Sequence, residues 1–283
     1  MPPPVLHTYT AAVDALSVNS YLLTTADGAV LVDASLLVSD ARALAARIAA
    51  LRVPLRAVFV THAHPDHFNG LPFVAGHDVP VYATDDVAAT IARIAEPKRQ
   101  QWQPVYGPEW PDTFRVPDHP LSDGATVEVA GLVVQVHAVG PAESHADSYL
   151  TVRPADGAAP AVAFIGDLAF HGTHSYVTDG HTGAWLAALD RLERDLQGTT
   201  LHPGHGGPAG TEVFAAQRRY LMMFREVVAR LAGGAPTLTE DRRAELAATM
   251  ARFLPGAPLE WLIPLGADAV AAELAATTAG ATR

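Results

Sequence analysis

The hexapeptide His62-Ala63-His64-Pro65-Asp66-His67 puts three imidazoles and a carboxylate into six residues, in a chain of 283 with 13 histidines and no cysteine. Shuffling such a chain would produce the pattern somewhere in only about two sequences per thousand. One residue, Thr61, separates it from the apolar run Ala57-Val58-Phe59-Val60, which reads as a short strand, so the hexapeptide occupies the turn just outside a strand end. Alternation along an extended segment puts His62 and His64 on one side, within reach of a single cation. The bend at Pro65 turns Asp66 and His67 toward a second cation nearby. Nitrogen and oxygen donors without sulfur suit zinc, and also iron or manganese.

Outward from this turn, alternating apolar residues predict a hairpin at 20–33 with its turn at Ala26-Asp27-Gly28. A helix is expected at 40–51 with Asp40 as its cap, then a strand at 79–83 and a helix at 84–95. The stretch 96–120 is dense in proline and carries Trp102, Tyr106, Trp110 and Phe114, which predicts a long loop or lid. Strands follow at 126–129, 132–139, 148–152 and 161–165. A helix at 184–196, a strand at 199–201 and a helix at 211–231 come next, and the alanine-rich remainder reads as helical at 239–253 and 261–277, interrupted by Pro264. Two strand-rich halves, each closed by helices, predict an α/β layered fold with two sheets face to face.

Composition narrows the function. Hydrophobic residues make up 49% and charged residues 17%, as in a globular protein that buries a core without disulfides or a structural metal. With no cysteine, disulfides, thiolate zinc sites and cysteine nucleophiles are excluded. The formal charge of −11 and the absence of a basic stripe argue against nucleic acid. The start lacks a signal-like apolar region, and no run of 18 apolar residues occurs, so a cytoplasmic protein with no membrane association is expected. Gly204 to Ala209 formally fits a dinucleotide-binding glycine pattern, but it comes late and contains Pro208, which argues against that use.

His62-x-His64-x-Asp66-His67 resembles the signature of the metallo-β-lactamase-fold superfamily, and the likeness extends from the early hairpin to His205, about three-quarters of the chain. It implies an αββα sandwich of two mixed β-sheets, with residues 1–232 as the superfamily domain and 233–283 as a C-terminal helical extension packed on it. Asp167, after the strand at 161–165, matches the aspartate that bridges two metals, and His205 in Pro203-Gly204-His205-Gly206 matches the last ligand of the second metal. His202 reads as a packing residue. The third ligand of the first metal falls in Pro141-Ala142-Glu143-Ser144-His145-Ala146-Asp147. Spacing lands on Glu143 or Ser144, whereas the available imidazole is His145; the expectation leans on His145 with Glu143 as the alternative. Asp33 resembles a position that supports the ligands from behind, and His137 reads as a strand histidine. His171 and His174, in the loop after Asp167, are candidates for holding a substrate oxygen or donating a proton, and Asp66 for protonating the leaving group.

The resemblance implies a dinuclear, zinc-dependent hydrolase in which hydroxide made from metal-bound water cleaves an ester, lactone, thioester or amide of a small molecule. The aromatic stretch at 96–120 would favour partly apolar substrates, and the acidic charge argues against glutathione thioesters and RNA. The alternatives are an iron-dependent oxygenase of the same fold and a non-catalytic metal-binding relative.

Overall fold

A computed structural model describes residues 3–281. The first sheet runs in spatial order through β1 (Val5–Thr10), β2 (Asn19–Thr25), β3 (Gly28–Val32), β4 (Leu55–Phe59), β5 (Val81–Thr84) and β6 (His119–Leu121). Its first three strands are antiparallel, and the pairings β3–β4, β4–β5 and β5–β6 are parallel. The second sheet has the order β11 (Thr200–Pro203), β10 (Val162–Gly166), β9 (Asp147–Pro154), β8 (Leu132–Gly140), β7 (Thr126–Val129), with only β10–β11 parallel.

Period-two alternation decides which residues face which layer. Val30, Val32, Ala57 and Phe59 point inward to meet Val134, Leu150, Val152 and Phe164 of the second sheet in one buried cluster. Their neighbours Ala29, Leu31 and Val58 point the other way, against α1 (Val38–Ala50) and α4 (Asp85–Tyr106). Ala163 and Ile165 likewise face outward, against α5 (Thr182–Asp195), α6 (Glu212–Ala232), α7 (Glu240–Phe253) and α8 (Ala267–Ala281). The result is the four-layer αββα sandwich, and the last two helices share the core of α5 and α6.

Two expectations are corrected. Residues 96–106 are not loop: α4 continues to Tyr106 through Pro97 and Pro104. The two prolines stand two turns apart on an exposed face, so the carbonyls of Arg93 and Gln100 that lose their N–H partners turn toward water. The chain between them is held by Arg99, which bonds Glu96 and Gln103 one turn to either side. Asp40 does not cap α1 either. The cap position is Leu37, and the Asp40 carboxylate instead accepts from the Tyr9 hydroxyl (2.7 Å) and the Ala12 amide (3.1 Å), tying the segment after β1 to the helix. Two one-turn helices, α2 (Pro65–Phe68) and α3 (Leu71–Val74), follow β4.

Candidate metal centre

Four strand ends converge at one edge of the sandwich. The chain leaves β3 at Asp33, β4 at Thr61 and His62, β10 at Asp167 and β11 at His205, while Glu143 comes from the loop joining β8 to β9. All four strands belong to parallel pairs, whose carboxyl ends leave a crevice where side chains from separate turns meet.

Seven buried residues form two groups there: His62, His64 and Glu143, and Asp66, His67, Asp167 and His205, with the candidate donor atoms of each group within 4.8 Å of one another. In the second group His205 Nε2 is 3.2 Å from both Asp66 Oδ2 and Asp167 Oδ2, and His67 Nε2 is 3.4 Å from Asp66 Oδ2 and from Asp167 Oδ1. In the first, His64 Nδ1 stands 2.8 Å and His62 Nε2 3.6 Å from Glu143 Oε2. Asp167 reaches both, its Oδ2 lying 4.0 Å from His62 Nε2.

Outer hydrogen bonds orient each imidazole. Asp33 accepts from the Thr61 amide (2.9 Å), the Thr61 hydroxyl (2.8 Å) and His67 Nδ1 (2.8 Å). Because the Thr61 hydroxyl spends its proton on Asp33, its lone pair takes Nδ1–H of His62 (3.0 Å). His205 Nδ1 donates to the Leu16 carbonyl (3.0 Å), and His64 Nε2 donates to Asp179 (3.2 Å). All four rings thereby turn their remaining nitrogen inward, three through Nε2 and one through Nδ1.

The donor set fits divalent cations. His62 Nε2, His67 Nε2, Asp167 Oδ1 and Glu143 Oε1 are buried without a hydrogen bond, which is costly unless an ion satisfies them. With Nε2 of His64 donating to Asp179, its Nδ1 and Glu143 Oε2 face each other at 2.8 Å, and a proton or a cation has to lie between them. Donors about 2.0–2.1 Å from one tetrahedral ion stand about 3.3 Å apart, close to the separations of the second group. The backbone is shaped to match: a Cβ on Gly204 would fall 2.0 Å from Asp167 Oδ1 and 2.7 Å from the His67 ring.

Electrostatics inside the pair of groups is strongly polarised. Burial pushes the Glu143 carboxyl well up, against the opposing pull of His64. Burial acts the same way on Asp167, but His205 and His67 override it and hold that carboxyl far below the usual range. Burial disfavours a charged His205, yet Asp167 and Asp66 raise it to about 10. His62, buried beside His67, is pushed well down.

His145, favoured over Glu143 from sequence, lies outside both groups; it is exposed, with Nδ1 2.7 Å from His181 Nε2 and Nε2 3.7 Å from Asp179. The loop bends inward at Glu143 because Asp147 Oδ2 accepts the amides of Ala142 and Ser144. His171 is exposed and bonds the Gly207 carbonyl, and His174 is buried against the Tyr220 hydroxyl; neither lines the cavity in front of the donors. His137 stacks on Tyr149 and His202 on Phe164, both within strands. That cavity is walled by Trp102, Tyr106, Trp110, Phe170 and Leu262 among others, whereas Phe114 lies outside it, exposed. Trp110 also packs against residues 11–18 and Leu36–Leu37, so these rings both cover a core edge and face the donors. Residues that sequence reading missed include Thr61, Leu16 and Asp179, and also Asn19 and Tyr21, which bond the Pro203 carbonyl at the base of the His205 turn.

Comparison with known proteins supplies the context. Residues 13–205 match the family model described as the Metallo-beta-lactamase superfamily. A hydroxyacylglutathione hydrolase from Methylobacillus flagellatus is 25% identical over 205 residues, 68% of this chain and 67% of its own. A beta-lactamase domain protein from Burkholderia ambifaria superposes with a TM-score of 0.71 at 19% identity, covering 98% of this chain and 88% of that one. TTHA1623, solved in a di-iron-bound form, gives a TM-score of 0.58 at 28% identity over 76% of this chain and 99% of its own.

Proposed function

The chain belongs to the metallo-beta-lactamase superfamily, and from that premise we propose a dinuclear metallo-hydrolase that cleaves an ester, lactone, thioester or amide of a partly apolar small molecule. The observation that carries the reading is the inward presentation of seven buried donors with Asp167 between the two groups. His62, His64 and Glu143 would hold one ion, Asp66, His67 and His205 the other, and Asp167 both. Such a pair supplies, when bound, a water of lowered pKa and a Lewis acid for a carbonyl oxygen.

The chain's own groups do the rest. Asp33, Thr61, Asp179 and the Leu16 carbonyl hold the four rings with their second nitrogen facing inward, where an ion would displace any proton it carries. The aromatic wall excludes water and seats the apolar part of the substrate against the donors. Asp66, at the cavity surface, would take up the proton that the attacking water gives up and pass it to the departing group. No covalent enzyme intermediate is needed, in keeping with a chain that lacks cysteine.

Zinc is the first assignment for the metal. Iron is the second, favoured by the similarity to a protein solved with two irons and by the carboxylate in the first group. A single-iron oxygenase would leave the complete second group without a use. Glutathione thioesters, which the chain's acidity argued against, belong in the substrate panel because of the similarity to a hydroxyacylglutathione hydrolase. The test is metal analysis of the purified protein together with hydrolysis of a panel of lactones, thioesters and aryl esters before and after chelation. Two ions per chain and chelator-sensitive turnover support the reading; a protein that takes up no zinc, iron or manganese refutes it.

A further inference from the structure

Eighteen of the chain's 19 basic residues are arginine; the one lysine, Lys98, lines the cavity in front of the donor groups. It lies on α4 directly after Pro97, half-buried, in a wall that is otherwise largely apolar. Among the described residues it forms no ion pair. Its Nζ lies 3.5 Å from the Tyr176 hydroxyl and 5.8 Å from the centre of that ring. Asp179, whose carboxyl feels the charge of Lys98, is already engaged by His64 at 3.2 Å.

Tyr176 continues the line inward, its ring set edge-on to His64 at 5.0 Å. Burial keeps its phenol protonated by raising its pKa, so beside the Lys98 ammonium stands a hydroxyl that has a proton to donate. An ammonium and a phenol donor thus stand side by side, one ring away from a donor residue of the first group. Arginine predominates elsewhere on the surface, where a charge that stays solvated suffices. A compact ammonium without a carboxylate partner, set into an apolar wall, has instead the arrangement by which binding sites fix one polar end of an apolar ligand. The chain carries a formal charge of −11, so an anionic substrate needs a local cation to hold it.

We infer that Lys98 and Tyr176 anchor a free carboxylate on the substrate, which makes the preferred substrates acyl compounds with an apolar body and a terminal carboxylate. This rests on the hydrolase reading above and adds the substrate class to it. A lone ammonium with one hydroxyl suits the single charge of a carboxylate better than a phosphate, which recruits arginine forks.

The experiment compares monophenyl glutarate with phenyl pentanoate, a neutral ester of the same acyl length, on the metal-loaded protein. The expected ratio of kcat/KM, acid over neutral, exceeds unity and falls by about ten- to a hundredfold in Lys98→Gln, as loss of a charge-assisted hydrogen bond implies. Lys98→Arg should restore most of it. A ratio that Lys98→Gln leaves unchanged overturns the inference while leaving the hydrolase reading intact. A second measurement stands apart from turnover. With one lysine, the amines that acetic anhydride can acetylate are Lys98 and the α-amine, which peptide mass mapping separates from each other and from any acetylated tyrosine. 5-Phenylpentanoate should slow acetylation of Lys98, and 5-phenylpentanol should not. If neither ester is cleaved, the protection result alone decides the anchor, whatever bond the protein hydrolyses: equal acetylation with and without the acid overturns it.

Discussion

The two donor groups draw on the same residue types but are held differently. Behind the second stand Asp33 on His67, the Leu16 carbonyl on His205, and Asn19 and Tyr21 on the turn that carries His205, contacts that tie it to both sheets. The first depends on Glu143, whose loop is shaped by two amide bonds to Asp147 and whose carboxyl is pushed up by burial. A preorganised site binds its ion with less rearrangement than one whose ligand sits on a loop. The second group should therefore be the tighter of the two and the first the adjustable one.

Substitution can break that ordering. Asp167→Asn removes the one carboxylate common to both groups and should lower kcat by at least about a thousandfold, with both ions weakened in metal analysis. Glu143→Ala should release one ion and keep the other, with activity down by about a hundredfold; loss of both ions at once would erase the distinction between the groups. Asp33→Ala frees the His67 ring and the Thr61 hydroxyl that orients His62, and should weaken metal affinity by about 10–100-fold, mainly at the second group. Trp102→Ala, in the cavity wall, should raise KM for aryl esters by about tenfold at nearly constant kcat.

The smallest effect is on the metal-free chain. His205 is raised to about 10, above its unfolded value of about 6.5, so its contribution to stability is complete below pH 6.5 and is lost as pH rises through 10. Asp147, which burial pushes up to about 7, acts in the same sense from a lower starting point. The Tm of chelated protein should therefore fall by about a few degrees between pH 6 and 10 in calorimetry. A Tm that climbs over that range would overturn these assignments.

The hexapeptide at His62 and the strand-end positions of Asp167 and His205 are legible in the sequence because they are local: a rare spacing beside a short apolar run. The layers are legible for the same reason, since alternation assigns each strand residue to a face. What remained hidden is non-local. Asp179 looks like any aspartate before a glycine turn, and only the fold brings it to His64. Glu143 against His145 could not be settled by residue type, because the deciding event is the Asp147 carboxylate capturing two amides of its own loop. The helix through Pro97 and Pro104 was missed because proline is read as a breaker wherever it occurs, while its cost depends on whether the freed carbonyl meets solvent.

The seven donors come from both halves of the sandwich: His62, His64, Asp66 and His67 follow the first sheet, and Glu143, Asp167 and His205 belong to the second. Any ion held there rivets one sheet to the other, and its binding energy is added to the work of prying them apart. Cellular supply of the metal would then govern how long each copy survives proteolysis, so starved cells would lose the protein itself along with its turnover.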